Sequence, residues 1–384
     1  MAQKPKIILV GELPNSNWCK AFALLNQLEK DEIVQCFHVI PHQKIPAGRF
    51  EANAIICRPS CSGCLNTSNV EEPKEPMHIA TLSKGVDHIC LPKNWVKKII
   101  SATGDANAPA VADHTLMLAS QLLRPADQAA TEMSQQVWNI KIDSESHQFD
   151  SFEWGCIGSG AQVKYLLPQL ITRRCPIIRV FHPEMDYRRL LNAVSHYSNP
   201  HQVSVTEKTI EFTFINPTGD KTIIIGTRND KDVFSYSDII SLHIPVVKTE
   251  ESKYGYGTHE LINTHTIAKM KKGVYLINPA RGALVNENDI VNALLNGYIG
   301  GIASDVVHPK AEHTEDPRFS PLWQLYCKAE KEKKNGQLRR PKIYLTPHVG
   351  GGTVEAINII AGDVISQLIQ SLCISLKNYQ EFLI

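Results

Sequence analysis

The chain of 384 residues is 43% hydrophobic and 21% charged, the balance of a folded globular protein, which excludes wholesale disorder and a collagen-like repeat. Forty basic against thirty-nine acidic side chains leave a formal charge of +1, so no global field draws the chain to nucleic acid or to an anionic bilayer, and neither is expected as a partner. At about 150 residues per domain the length predicts two to three domains, and apolar runs such as Ile7-Ile8-Leu9-Val10 are far shorter than the roughly 20 residues that cross a bilayer.

The N-terminus, Met-Ala-Gln-Lys-Pro-Lys, enters that run without an extended hydrophobic leader, and a cytoplasmic location is expected. Short apolar runs at 7–10, 33–39, 54–57, 79–82 and 99–102 alternate with helix-patterned stretches such as 21–29, an alternation that predicts a parallel sheet. Ten cysteines are scattered through the chain and read as reduced thiols. Three of them, Cys57, Cys61 and Cys64, form C-x3-C-x2-C, a spacing able to hold an iron–sulfur cluster; following the strand-like 54–56, it reads as a structural turn, and no metal is expected. Residues 111–123 carry apolar side chains around most of a helical circumference, which predicts a buried helix ended by Arg124-Pro125.

A second βαβ series opens at Trp154-Gly155-Cys156-Ile157, passes through Gly158-Ser159-Gly160 into a helix reaching 171, and returns as a strand at 177–181. Ile210, Phe212 and Phe214 then alternate with Glu211 and Thr213, and Asn216-Pro217-Thr218-Gly219-Asp220 separates them from an apolar run at 222–225, which predicts a hairpin. Strand-like runs resume at 239–243, 273–278, 300–306 and 343–346. Between the last two, 328–342 holds seven Lys or Arg and two Glu and reads as a solvated surface loop.

A strand that delivers Gly-x-Gly into a helix N-terminus lets backbone approach a pyrophosphate and presents free N–H groups with a favourable dipole. Gly158 and Gly160 fit this, with Ala161 and Gln162 opening the helix; the third glycine of the fingerprint is Val163, which predicts looser helix–strand packing. After the next strand, where a carboxylate binds the ribose 2′-hydroxyl of NAD, stand Phe181-His182-Pro183. With no repulsion at His182 and with Arg188 or Arg189 nearby, NADP is slightly favoured over NAD, although Glu184 and Asp186 keep the opposite reading open.

Five ordered motifs then resemble the D-isomer-specific 2-hydroxyacid dehydrogenase family. They are Gly85-Val86-Asp87-His88-Ile89, Val111-Ala112-Asp113-His114-Thr115, Ser237-Asp238-Ile239-Ile240-Ser241-Leu242-His243-Ile244-Pro245, Asn278-Pro279-Ala280-Arg281-Gly282, and Thr346-Pro347-His348-Val349-Gly350-Gly351. The resemblance implies an α/β fold of two doubly wound parallel-sheet domains. In it a Rossmann-type dinucleotide domain, residues 106–347, is inserted into a flavodoxin-like substrate domain, residues 1–105 and 348–384, with the active site in the cleft between them. Insertions are expected near 185–232, its hairpin a surface ornament or else a cap on the adenosine pocket, and near 328–342. The helix from Val111 and the segment after Arg124 imply a twofold homodimer.

Residue by residue, the resemblance makes Arg281 the cation that holds a substrate carboxylate bidentately and polarises the adjacent carbonyl. It makes His348 the proton donor and acceptor. Relatives carry a Glu five residues after the Asp that matches Asp305, where this chain has Lys310; Glu312 is the best replacement and Glu315 a weaker one, since a carboxylate there favours the imidazolium form of His348. Backbone N–H groups around Lys84 and Gly85 are expected on the substrate carboxylate, Asp305 near the nicotinamide carboxamide, His243 and Pro245 on the adenosine side, and Ala280 at the nicotinamide end. The implied activity is reduction of a small 2-oxo acid to its D-2-hydroxy acid, glyoxylate or hydroxypyruvate first. Two rival readings stand beside it. One is a nucleotide-sensing binding protein resembling the C-terminal-binding co-repressors, favoured by the displaced Glu and the missing glycine. The other is a formate or phosphite dehydrogenase, disfavoured because Pro347 rather than Gln precedes His348.

Overall fold

The computed structural model describes the chain apart from residues 1–3, 12, 15, 18, 41–43, 59–64, 87, 125, 135, 137, 139–145, 217, 254–256, 309–316, 335–341, 380, 381, 383 and 384, and apart from the side chains of 127, 128, 131, 132 and 332–334. Its described residues form two compact units, one from 4–107 and 351–382, the other from 108–308 and 317–350.

The first unit contains β1 (Lys6–Val10), α1 (Lys20–Lys30), β2 (Gln35–Val39), α2 (Ala47–Phe50), β3 (Ala54–Cys57), β4 (Leu65–Asn66), β5 (Met77–Thr81), β6 (Ile89–Cys90) and β7 (Val96–Ile100). Five of these strands pair in the order β2-β1-β3-β5-β7, every pairing parallel. That is the flavodoxin-like strand order. Strands β3 and β5 are buried along their whole length, which is why β3 reads as an unbroken apolar run rather than an alternating one. The C-terminal helix, Val354–Ser371, lays Ile360, Val364, Ile365 and Leu368 into one cluster with Leu24, Leu25 and Leu28 of α1. Each such side chain, fully buried, contributes about 1.5–3 kcal/mol relative to exposure.

The second unit opens with α3 (Ala108–Leu123) and α4 (Ala126–Ser134), followed by β8 (Trp154–Ile157), α5 (Ala161–Thr172), β9 (Ile177–Phe181), α6 (Tyr187–Ala193), β10 (Gln202–Val205), β11 (Thr209–Ile215), β12 (Lys221–Thr227) and α7 (Asp230–Tyr236). It continues with β13 (Ile239–Leu242), α8 (Thr264–Ile267), β14 (Val274–Asn278), α9 (Glu287–Leu295), β15 (Ile299–Ser304), α10 (Pro321–Lys334) and β16 (Lys342–Leu345). The sheet runs β10-β11-β12-β9-β8-β13-β14-β15-β16, parallel from β12 to β16. Chain order reverses between β8 and β13, the topological switch point at which doubly wound sheets bind ligands.

Three expectations are corrected. The hairpin is no surface ornament: β12 pairs parallel with β9 and supplies the third strand of the doubly wound half, so only β10 and β11 are added, antiparallel, at the edge. Phe212, Phe214 and Ile224 are fully buried in the same core as Trp154 and Leu166, because alternate residues of β11 and β12 turn their apolar faces inward. Val163 is fully buried in that core as well, so the volume that a glycine would leave open is filled rather than loosely packed. Residues 328–334 are not a loop but the last turns of α10, whose Leu322 and Ala329 are buried on its inner side.

Candidate active site

The glycine loop lies at the carboxyl end of β8, on the switch point. Gly158 has φ +113°, and a Cβ there would stand 2.5 Å from the His243 carbonyl oxygen, so only glycine lets the loop pass under the end of β13. At Gly160 an added Cβ meets nothing within 4 Å. This residue is also the N-cap of α5 and gives that helix no side-chain cap, which leaves the first N–H groups, those of Ala161 and Gln162 among them, for another acceptor. The Ser159 hydroxyl is buried with no hydrogen-bond partner among the described residues. An open glycine, an uncapped helix start and an orphaned hydroxyl together fit a bound pyrophosphate.

Behind this loop a polar chain ties β8, β13 and the first turn of α5 together. Trp154 Nε1 donates to Ser241 Oγ at 2.8 Å, and His243 bridges Ser241 Oγ through Nε2 and Gln162 Oε1 through Nδ1, both at 3.0 Å. Burial lowers the His243 pKa from 6.5 to about 3, so the ring is neutral and positions Gln162 without adding charge. Pro245 is exposed, and its carbonyl accepts from Thr258 Oγ1 at 2.7 Å. The linkage has a definite sign: the unfolded histidine takes up a proton as pH falls below 6.5 and the folded one does not, so this part of the stability is present above that pH and is lost as pH falls from there toward 3. Denaturant unfolding at about pH 7 and pH 5 should show a larger loss for the wild type than for His243→Asn.

Arg281, Asp305 and His348 stand just beyond the carboxyl ends of β14, β15 and β16, three neighbouring strands. The buried Asn278 closes β14 by accepting from the Ala280 N–H at 3.1 Å and donating to the Arg281 carbonyl at 2.9 Å. Arg281 is thereby held at the start of a short 3-10 turn, half-buried, with Nη1 donating to the Ala280 carbonyl at 2.8 Å. Asp305 N–H donates to the Asn278 carbonyl at 3.0 Å, and His348 N–H to the Asp305 carbonyl at 2.8 Å. The main chain thus brings the ends of the three strands together. His348 itself adopts φ +53°, a left-handed conformation uncommon outside glycine.

Asp305, expected near a nicotinamide carboxamide, has its carboxylate turned inward and 2% exposed. Oδ1 accepts from Thr346 Oγ1 at 2.6 Å and from Val349 N–H at 2.9 Å, and Oδ2 accepts from Gly350 N–H at 2.8 Å. Burial works to raise its pKa, yet the hydrogen bonds from His114, Thr346, Gly350 and Val349 outweigh it, and the pKa is lowered. A motif position given no role in the sequence, His114 on α3, completes this cage with Nε2 3.2 Å from Asp305 Oδ1.

The other expected residues are placed as follows. His182 follows β9 and accepts from Glu184 N–H through Nδ1 at 3.0 Å; burial, then Arg189, lowers its pKa. Lys84 and Gly85 belong to the first unit, in the turn after β5, where Lys84 Nζ donates to the Gly104 carbonyl at 2.7 Å and Ser83 Oγ to that of Gly85 at 2.6 Å. Glu312, Glu315 and Lys310 lie outside the described residues, as do Cys61 and Cys64. Among the described residues no group of His, Cys, Asp or Glu could hold a metal ion, and no helix is long and apolar enough to cross a membrane. A buried carboxylate that the sequence did not single out, Glu287 at the start of α9, accepts from His308 N–H at 2.7 Å and from Ser320 Oγ at 2.5 Å. It ties together the two flanks of the stretch that contains Glu312.

Comparison with known proteins follows the same lines. Residues 210–350 match the family profile described as D-isomer specific 2-hydroxyacid dehydrogenase, NAD binding domain. The chain is similar to a D-3-phosphoglycerate dehydrogenase of Bacillus subtilis, 26% identical over 287 residues, which cover 74% of this chain and 43% of that one. It is also similar to a D-lactate dehydrogenase of Treponema pallidum, 45% identical over 128 residues, 33% of this chain and 34% of the other. These matches therefore span less than half of either relative. The crystal structure of a glyoxylate reductase from Paecilomyes thermophila superposes with a TM-score of 0.62 at 18% identity, covering 96% of this chain and 95% of the other, a likeness of fold. The profile match takes in β13 to β16 with Arg281, Asp305 and His348, so this part of the chain is similar to the NAD-binding domain of the D-isomer-specific 2-hydroxyacid dehydrogenases.

Proposed function

We propose that the protein is an NAD(P)H-dependent reductase that interconverts a small 2-oxo acid and its D-2-hydroxy acid, with glyoxylate or hydroxypyruvate as the first substrates to test. The observation that carries this reading is the alignment of Arg281, Asp305 and His348 at the ends of three adjacent strands of the sheet whose switch point holds the Gly158–Gly160 loop. The reduced nicotinamide, when bound, supplies a hydride to the carbonyl carbon. Arg281 binds the substrate carboxylate with its planar fork and polarises the carbonyl. His348 delivers a proton to the oxygen during reduction and takes it back during oxidation. Glu312 is the carboxylate assigned to support His348. The Lys84–Gly85 main chain takes part in holding the substrate carboxylate, and Ala280 contacts the nicotinamide end. The first unit serves as the substrate domain and the second as the dinucleotide domain. A cytoplasmic homodimer built through α3 and the segment after it belongs to the same reading.

NAD binding is the family's property; a slight preference for NADP is the finer proposal. Two features support it. Position 182 carries a histidine in place of a carboxylate, and the nearby Glu184 is already met by Arg189 Nη2 at 3.4 Å and Lys253 Nζ at 3.3 Å. Arg189 and Lys253 against Glu184 and Asp186 leave no net negative charge beside His182 to repel a 2′-phosphate. Loss of reduced-nicotinamide absorbance, followed with NADPH and NADH over a panel of 2-oxo acids, tests both levels. Turnover of a small 2-oxo acid with kcat/KM higher for NADPH is expected. A clear NADH preference removes the finer proposal, and tight cofactor binding without turnover of any 2-oxo acid replaces the enzyme with the nucleotide-sensing reading.

A further inference from the structure

We infer that His114 is a positioning residue for the acid–base histidine, acting through Asp305; the inference rests on the reductase reading proposed above. His114 sits on α3, 12% exposed at its side chain, and reaches across to the turn beyond β16. Its Nε2 lies 3.0 Å from Thr346 Oγ1 and 3.2 Å from Asp305 Oδ1. The proton count fixes the direction of both contacts. Thr346 has one hydroxyl proton, and it goes to Asp305 Oδ1 at 2.6 Å, so in the contact with His114 the threonine oxygen is the acceptor. Nε2 therefore carries a hydrogen and shares it between Thr346 and Asp305. A histidine locked in this form is a donor, whether neutral or charged.

The object of this bond is the backbone around His348. Asp305 receives N–H groups from Val349 and Gly350, and its own carbonyl receives that of His348. One residue thus grips 348, 349 and 350 in succession. Position 348 is the one with φ +53°, a conformation that persists only where the surroundings over-determine it. The fit is close: a Cβ on Gly350 would stand 2.9 Å from Asp305 Oδ2 and 3.0 Å from His114 Cδ2. The carboxylate must stay ionised to accept all of these bonds, and His114 is its side-chain donor from outside the turn. Among the described residues the titratable side chain that meets Asp305 is His114 on α3; Asp113 on the same helix is met by Gln169, Lys342 on β16 lies over the Tyr275 ring of β14, Tyr344 packs against the apolar core, and Arg281 beyond β14 donates to the Ala280 carbonyl. Without His114 the buried carboxylate is less well compensated and takes up a proton at higher pH. It then releases a backbone N–H, and the His348 ring loses its fixed orientation.

The test compares full-length wild type, His114→Ala and His114→Gln, the glutamine amide being able to replace Nε2–H as a donor. We expect His114→Ala to lower kcat on the best 2-oxo acid on the order of 10²-fold, the effect of a small misplacement of a reacting group, with the nicotinamide Kd unchanged. The acid limb of its pH–rate profile should move to higher pH, which a general loss of packing does not cause. His114→Gln should recover most of kcat and the wild-type limb. Ring-labelled histidine NMR, with His348 assigned by its absence from His348→Asn, gives a readout that needs no turnover: the His348 resonance should shift in His114→Ala and return in His114→Gln. A wild type without turnover fails the reductase reading, and the NMR series still decides the coupling. If His114→Ala does not fold, His114→Leu, which fills the site without a donor, takes its place: a displaced His348 resonance supports the coupling and an unmoved one overturns it. An unmoved acid limb and unmoved resonance in His114→Ala, or a glutamine variant no better than the alanine one, also overturns the inference.

Discussion

Arg281→Ala is expected to lower kcat/KM for the 2-oxo acid by about 10²–10³-fold, the scale set by removing one preorganised donor from a developing negative charge, while leaving the nicotinamide Kd within about twofold. The reason is local. Asn278 pins the Ala280 N–H and the Arg281 carbonyl, so the guanidinium is presented from a fixed strand end. Arg281→Lys should recover little, because an ammonium keeps the charge but cannot bind a carboxylate with two parallel hydrogen bonds. Steady-state kinetics separate the roles. Loss confined to KM would mean that Arg281 only binds the carboxylate, whereas loss in both KM and kcat is predicted, since the same group polarises the reacting carbonyl. A variant with unchanged kcat/KM would remove Arg281 from the reaction.

The second large effect is expected at His348. Replacing it with Asn should lower kcat about 10²–10⁴-fold, the usual contribution of a positioned general acid–base group, with only small changes in substrate KM and cofactor Kd. Asparagine is the informative substitution because it tolerates the left-handed backbone that position 348 adopts, so that the turn and its bonds to Asp305 survive. The residual rate should also lose the ionisation that the wild-type pH–rate profile shows. A His348→Asn enzyme with wild-type kcat would assign the proton transfer to another group.

Much of this was legible in the sequence, for reasons that can be stated. The central strands of both sheets are buried on both faces and announce themselves as unbroken apolar runs, as at 54–57 and 154–157. Gly158 and Gly160 marked the loop at the switch point, where at Gly158 the backbone passes too close to the His243 carbonyl for a Cβ. The partners of a strand, however, are not written in its own residues. Residues 222–225 read as half of a hairpin, which they are, but nothing in them says that their other edge joins β9 and that Phe212 and Phe214 thereby enter the central core. The charged run at 328–334 hid the end of α10, since a solvated helical face and a loop share the same composition. Val163 read as a defect in the fingerprint, but the core grows to fill that place. His114 stood in a motif without a role because its meaning depends on a contact with Thr346 and Asp305, far away along the chain. The partners of Asp305 were hidden for the same reason: a carboxylate at a strand end shows them only once the turn at 346–350 is folded against it.

The most direct measurement is the fate of the transferred hydrogen. The purified protein is incubated with reduced nicotinamide cofactor deuterated at C4 and with glyoxylate or hydroxypyruvate, and the product is analysed by mass spectrometry and, for hydroxypyruvate, by chiral separation. The account predicts a 2-hydroxy acid with deuterium on C2, of D configuration where that carbon is chiral, formed by the wild type and not detectably by Arg281→Ala or His348→Asn. Undeuterated or absent product with the cofactor bound, or labelled product formed equally by the three proteins, would contradict it.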